Sequence, residues 1–344
     1  MFYNYLLDPL TNQISFETKD IDLSILNAIR RVLLMDIPIL GFNGSGIDTS
    51  INIVENTSVL NNEIISNRIA LIPLNIDESY NDNFDPNINK LEITLDVSCN
   101  ENDNMKLITT EHLIVKKDEK VIKNFFSKNK ISNEYILITK LRKNEKITLD
   151  AYAVKETGRK NASFSIVSGL TVYNKPMDNK DITDILEKER NYIENEFVFK
   201  FEIINNSFSH YYLLNKAISI LIQKISILND KVTLQQYKNN ENTYDYIIPD
   251  ENDTIGNLVQ SYIFDTYVLT KTKIFEESYC SYVGYVVKHP LEKKLNIRLT
   301  IENTSDINLF KDFMKIVCNK IINEQLQVIQ KNLETFFTNN KVND

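Results

Sequence analysis

At 344 residues, with 42% hydrophobic residues and 17 each of tyrosine and phenylalanine, the chain has the length for two or three domains and the side chains to fill their cores. Its formal charge of −8 excludes an overall basic field, and with it a free-standing DNA- or RNA-binding protein. MFYNYLLDPL lacks the basic start and apolar run of a signal peptide. The most apolar later stretch, Ala217 to Leu228, is broken by Gln223 and Lys224 and is too short to span a bilayer, so the reading is a soluble intracellular protein.

In chain order, NQISFET (12–18) reads as a strand. The stretch from Asp22 to Leu40, DLSILNAIRRVLLMDIPIL, then reads as an amphipathic helix. Ile25, Leu26, Ile29, Val32 and Leu33 form one apolar stripe at helical spacing. Ser24 or Asp22 can cap its start, and Pro38 stops it. The stripe leaves Arg30 and Arg31 unexplained. Adjacent residues lie ~100° apart on a helix, so at least one arginine points away from the core. It is either a solvated charge or a docking group for a carboxylate-bearing partner, which a planar guanidinium suits.

From about 45 to 164 alternating strands such as Leu91–Val97 and Tyr135–Ile138 are separated by polar loops, with one short helix over Asn61–Leu71 that turns Ile64, Ile65 and Ile69 inward. Strands follow at Phe164–Val172 and Glu196–Ile204, then a helix from about Ser209 to Leu228. The polar stretch 236–245 reads as a linker to a smaller unit. A helix from about Ile307 to Phe337 closes that unit, its stripe of Phe310, Phe313, Val317, Ile321, Leu326, Ile329 and Leu333 drifting around the axis. About 30 residues at ~1.5 Å each make it roughly 45 Å long. Its own small sheet cannot cover that length, so part of the stripe must meet something else. Leu26-Asn27-Ala28-Ile29 parallels Gly256-Asn257-Leu258-Val259, an internal repeat in which Arg30-Arg31 is matched by Gln260-Ser261.

Catalytic candidates are thin. Glu111-His112 and His289 stand outside any nucleophile–base or HExxH arrangement, and GFNGSG (41–46) is a loop rather than a phosphate cradle. Cys99, Cys280, Cys318, His112, His210 and His289 include no pair at ligand spacing, so no metal and no cofactor are expected. The odd cysteine count fits reduced, buried thiols.

NAIRRVLLMDIP, followed by ENTSVLNNEIISNRIALIPL (55–74), resembles the signature of the alpha-type subunits of cellular RNA polymerases: bacterial alpha, archaeal D and the eukaryotic third-largest subunit. Lys140–Ser165 resembles the end of the archaeal insert. The unit after the linker, with Thr254, Gly256, Asn257 and Leu258, then Gly284-Tyr285 and 289–293 (HPLEK), resembles the archaeal L or eukaryotic eleventh subunit. Some relatives carry a cysteine cluster for zinc or iron–sulfur in the insert; this chain does not.

The resemblance implies an α+β fold of two alpha-like dimerisation modules fused in one chain. The first comprises 1–44 and 165–235, interrupted by a mixed α/β insert at 45–164; the second is 246–344. It implies a non-catalytic assembly platform for DNA-directed transcription, as in large cytoplasmic DNA viruses. Its partners would be the second-largest and largest polymerase subunits and small accessory subunits. Direct base-specific nucleic-acid contact and membrane contact are not expected, and the location would be host cytoplasm and virion. Partner binding falls on Asn27, Arg30, Arg31, Glu63, Asn67, Arg68, Gly158, Lys160 and Phe164. Packing between the halves falls on Ile25, Ile29 and Leu33, on Leu214, Ile218 and Leu221, on Leu258 and Ile263, and on Phe313, Val317 and Ile321. A homodimeric scaffold unrelated to transcription is the alternative.

Overall fold

The computed structural model describes residues 1–340 apart from 47, 87, 89, 101–103, 118–119, 123–124, 127, 130–131, 178–191, 206, 229–231, 239, 276 and 290. The chain opens with strands β1 (Phe2–Asp8) and β2 (Gln13–Lys19), helix α1 (Leu23–Met35) and the short strand β3 (Pro38–Gly41). The inserted lobe follows: β4 (Ile51–Asn56), α2 (Asn62–Ala70), α3 (Glu78–Asn83), β5 (Leu91–Ser98), β6 (Met105–Thr109), β7 (Ile114–Lys117), β8 (Lys120–Ile122), β9 (Leu137–Arg142), β10 (Lys146–Tyr152) and β11 (Val154–Thr157). The chain returns through β12 (Val167–Pro176), β13 (Tyr192–Ile203) and helix α4 (His210–Ile227). The second half is β14 (Thr233–Gln236), β15 (Thr243–Pro249), α5 (Asp253–Ile263), β16 (Lys273–Phe275), β17 (Ser278–Val286), β18 (Lys294–Glu302), α6 (Ile307–Lys320) and α7 (Gln327–Asn340).

Each half has its own antiparallel sheet, ordered β1-β2-β13-β12 in the first and β14-β15-β18-β17-β16 in the second. The insert carries a third, β4-β10-β5-β7-β8, and a ribbon of β6 with β9. β11 closes the insert by pairing with β3, Val154 opposite Gly41. Helix α3 fastens it further: Asp82 Oδ1 accepts from Tyr212 Oη and Lys216 Nζ, both at 2.8 Å, and Asn81 Oδ1 accepts from the Leu40 amide at 3.0 Å.

With only seven glycines in the chain, asparagine supplies most of the left-handed backbone positions. Six of the nine described non-glycine residues with positive φ are asparagine, whose short polar side chain tolerates the left-handed region.

Two sequence expectations are corrected. The stretch 236–245 is not a linker but the tip of a hairpin: Thr233 pairs with Ile247 and Gln236 with Tyr244, and Thr243, Tyr244, Tyr246 and Ile248 turn inward. The asparagine-rich composition belongs to the turn, and the join between the halves falls earlier, between α4 and β14. In α2, Ile64 is 46% exposed and Ser66 takes the buried position instead, its Oγ bonded to the Gly44 carbonyl at 3.0 Å.

The drift of the last stripe has a definite origin. Its steps are three or four residues except for the five between Ile321 and Leu326, where the helix makes a π turn over Ile321–Leu326. A π turn widens the repeat by one residue and rotates the stripe onto a new surface. Leu333 and Phe337 thereby leave their own sheet. Phe337 meets Tyr5 of β1 and Tyr211 of α4, ring centroids 5.7 and 5.9 Å apart, and Gln330 Nε2 donates to Asn215 Oδ1 at 2.6 Å. The surface that the closing helix needed is the first half of the same chain.

Candidate partner-docking surface

Helix α1 begins where Asp22 accepts the Ser24 amide at 2.7 Å, and it buries Ile25, Leu26, Ala28, Ile29, Val32 and Leu33. That face packs on α4 and on α5 of the second half. Leu214, Ile218 and Leu221 of α4 are buried, as are Leu258 and Ile263 of α5. Phe313, Val317 and Ile321 of the closing helix are buried as well. These helices pack on one another and share one apolar core.

Asn27, Arg30 and Arg31 are half-buried at the edge of this core. Arg30 Nε donates to Asn27 Oδ1 at 2.9 Å, one turn back. Arg31 does not simply look outward. Its Nε donates to Thr254 Oγ1 at 2.7 Å, across the join to the first turn of α5. That acceptor lies on a helix 223 residues later, beyond what α1 alone could show.

On the insert, Glu63 and Asn67 are exposed and line an open groove of about 430 Å³ with Gly44, Thr49 and Ile53. Arg68 is exposed but holds the insert together, Nη1 donating to the Ile138 carbonyl of β9 at 2.7 Å.

The loop after β11 divides. Lys160 is exposed and pairs with Glu156 at 2.5 Å. Gly158 lies against the end of α1, where a Cβ would come within 2.6 Å of the Leu34 carbonyl oxygen. Phe164 is 2% exposed, its ring against Gly41, so its expected place on the docking surface is corrected to the core. An aromatic at the end of a loop had a nearer apolar site than any partner could offer.

Sequence reading missed a charged junction behind this loop, formed by Arg159, Asp36, Lys224 and Glu251. One signal was present: Asp36 is the C-cap residue of α1, the negative end of the helix dipole, where a carboxylate calls for a covering cation.

His112 Nδ1 accepts the Thr109 amide at 3.2 Å and His289 Nδ1 the Leu291 amide at 3.1 Å, both as local turn contacts. Among the described residues no group of three or more His, Cys, Asp or Glu could hold a metal ion. The three cysteines are buried and free, and burial pushes the Cys280 and Cys318 thiols up to about 11 and about 12. Among the described residues no helix is long and apolar enough to cross a membrane.

Residues 15–225 match the RNA polymerase Rpb3/Rpb11 dimerisation domain. The chain is 31% identical over 173 residues to the DNA-directed RNA polymerase II subunit rpb3 of Dictyostelium discoideum, covering 46% of this chain and 53% of that one. It is 28% identical over 176 residues to that organism's subunit rpac1 of RNA polymerases I and III, covering 47% and 49%. The chain thus spans about half the length of these relatives. A putative DNA-directed RNA polymerase subunit of Acanthamoeba polyphaga mimivirus is 21% identical over 337 residues, covering 87% of this chain and 84% of its own.

Proposed function

The chain belongs to the RNA polymerase Rpb3/Rpb11 dimerisation-domain family, and from that premise we propose that it is a non-catalytic assembly subunit of a multisubunit DNA-directed RNA polymerase, carrying both members of the dimerising pair in one chain. The observation that supports this most is α1 lying against α5, with the closing helix continuing onto β1 and α4. Faces that would otherwise need a second chain are covered within this one.

The role is then to dock the two large catalytic subunits and small accessory subunits, in the cytoplasm of a virus-infected host. Arg30 with Asn27, the exposed side of α2 (Glu63, Asn67) and Lys160 form the face offered to the second-largest subunit. Arg31 and Arg68 hold that face together from within, and Gly158 and Phe164 support its loop. Catalytic residues belong to the docked chains, and no base-specific nucleic-acid contact is assigned to this one.

The test is affinity purification of the tagged chain from the cells that make it, with co-purifying chains identified by mass. The expected result is recovery of the two largest polymerase subunits with one copy of this chain. Recovery of a homodimer alone would overturn the reading. Arg30→Ala should then weaken recovery of the second-largest subunit without altering thermal unfolding. Truncating a buried interfacial arginine costs about 2–5 kcal/mol, roughly 30- to 5,000-fold in affinity.

A further inference from the structure

Four charged side chains meet where the insert's last loop, the end of α1, the end of α4 and the start of the second half converge. Arg159 places Nη2 2.6 Å and Nε 2.8 Å from Asp36 Oδ1. Lys224 stands between two carboxylates, 3.1 Å from Asp36 Oδ2 and 3.4 Å from Glu251 Oε2. The order is plus, minus, plus, minus. Side-chain exposure is 43% at Arg159 but 7%, 20% and 11% at Asp36, Lys224 and Glu251. Burial raises the Glu251 pKa, the Asp36 charge adding to the rise, while Lys224 and Arg159 oppose it.

Each member belongs to a different piece of the fold. Arg159 is in the 158–164 loop, and its amide also donates to the Met35 carbonyl at 2.8 Å. Asp36 ends α1, and Lys224 is in the last turn of α4. Glu251 adjoins Asn252, the N-cap of α5, whose Oδ1 accepts the Thr254 amide at 2.9 Å. The ion pairs that join the two ends run through Asp36 and Lys224.

We infer that this chain of charges couples the 158–164 loop to the second half, so that seating the second half holds the loop in place. The inference takes only the loop's docking role from the proposed function; the coupling is read without any partner. Its physical basis is the imbalance left by removing the inner cation. Without Lys224, two buried carboxylates face one another, and breaking a buried pair on one side is strongly unfavourable. Relief comes by moving Asp36, and with it Arg159 and the loop, and by moving Glu251, and with it the cap of α5.

Hydrogen exchange on the full chain tests this, using Lys224→Met, which keeps most of the apolar stem. The amides of Arg159, Lys160 and Asn161, and those of Thr254 and Gly256, should exchange at least tenfold faster. Those of Ile29 and Val32 in the middle of α1 should stay within threefold of wild type. Acceleration confined to α4, or wild-type exchange at either end, would overturn the coupling. Should Lys224→Met not fold, Asp36→Asn/Lys224→Met/Glu251→Gln removes both orphaned carboxylates. It should fold, with loop and cap amides each exchanging at least threefold faster than wild type. Failure of this variant to fold, or wild-type protection at both ends, would equally overturn the proposal.

Discussion

The two halves share an order of elements but not a way of seating their first helix. At matched positions α1 carries Leu26, Asn27, Ala28, Ile29, Arg30 and Arg31, and α5 carries Gly256, Asn257, Leu258, Val259, Gln260 and Ser261. Leu26 is buried, whereas a Cβ on Gly256 would sit 2.6 Å from Tyr285 Cδ2 and 2.7 Å from Leu295 Cδ1. The second helix therefore approaches its sheet more closely and leaves no room where the first holds a full side chain. The charged position differs as well. Arg31 reaches Thr254, but the reciprocal pair, Ser261 and Ser24, offers two short hydroxyls.

Exchanging the residues at the matched position gives the largest expected effects. Leu26→Gly removes a buried side chain and places glycine inside a helix. It should cost about 2–5 kcal/mol for the lost packing and about 1 kcal/mol more for backbone freedom. Gly256→Leu should cost about 1–3 kcal/mol or more, because a close approach cannot take added methylenes without displacing Tyr285 or Leu295. Denaturant unfolding followed by circular dichroism measures both. A neutral Gly256→Leu would refute the difference in seating.

The charged position ranks next. Arg31→Ala loses a bond with a charged donor at a half-buried site and should cost about 1.5–3 kcal/mol, whereas Ser261→Ala should stay within about 0.5 kcal/mol. Similar costs at the two positions would mean that the bond to Thr254 contributes little. Arg31 is for this reason a poor probe of partner docking, since its loss alters the pairing of the halves as well.

What the sequence disclosed and what it hid divide along a physical line. Local signals were legible: the stripe of α1 with Ser24 or Asp22 at its start, the extent of α4 from Ser209, and the drift of the closing stripe, whose cause, the π turn over Ile321–Leu326, came only with the structure. Directions that depend on a distant element were not. Arg31 turns toward Thr254, Phe164 turns inward over Gly41, and the polar run 236–245 is held by strand pairing. Lys224 read as an interruption of an apolar helix, because Asp36 and Glu251 come from other parts of the chain. Composition could not separate a hairpin tip from a linker, since both favour asparagine.

The smallest expected effect concerns Glu251, whose matched position in the first half is the buried, apolar Ile21. Burial raises the Glu251 pKa in the folded chain, Asp36 adding to the rise and Lys224 opposing it. A carboxyl with a raised folded pKa binds its proton more tightly in the folded state. Its favourable contribution is therefore fully present below the unfolded value of ~4.3 and is lost as pH rises through the folded value. Glu251→Gln carries no such titration. Its thermal stability relative to wild type should rise as pH climbs from about 4 toward neutrality, because only the wild type loses the contribution of the protonated carboxyl. Paired thermal melts across that range supply the comparison. A difference that stays flat would mean the charged form is as well accommodated as the neutral one. A difference of opposite sign would mean that Lys224 more than offsets the burial of Glu251, and the junction would then be a source of stability rather than of register alone.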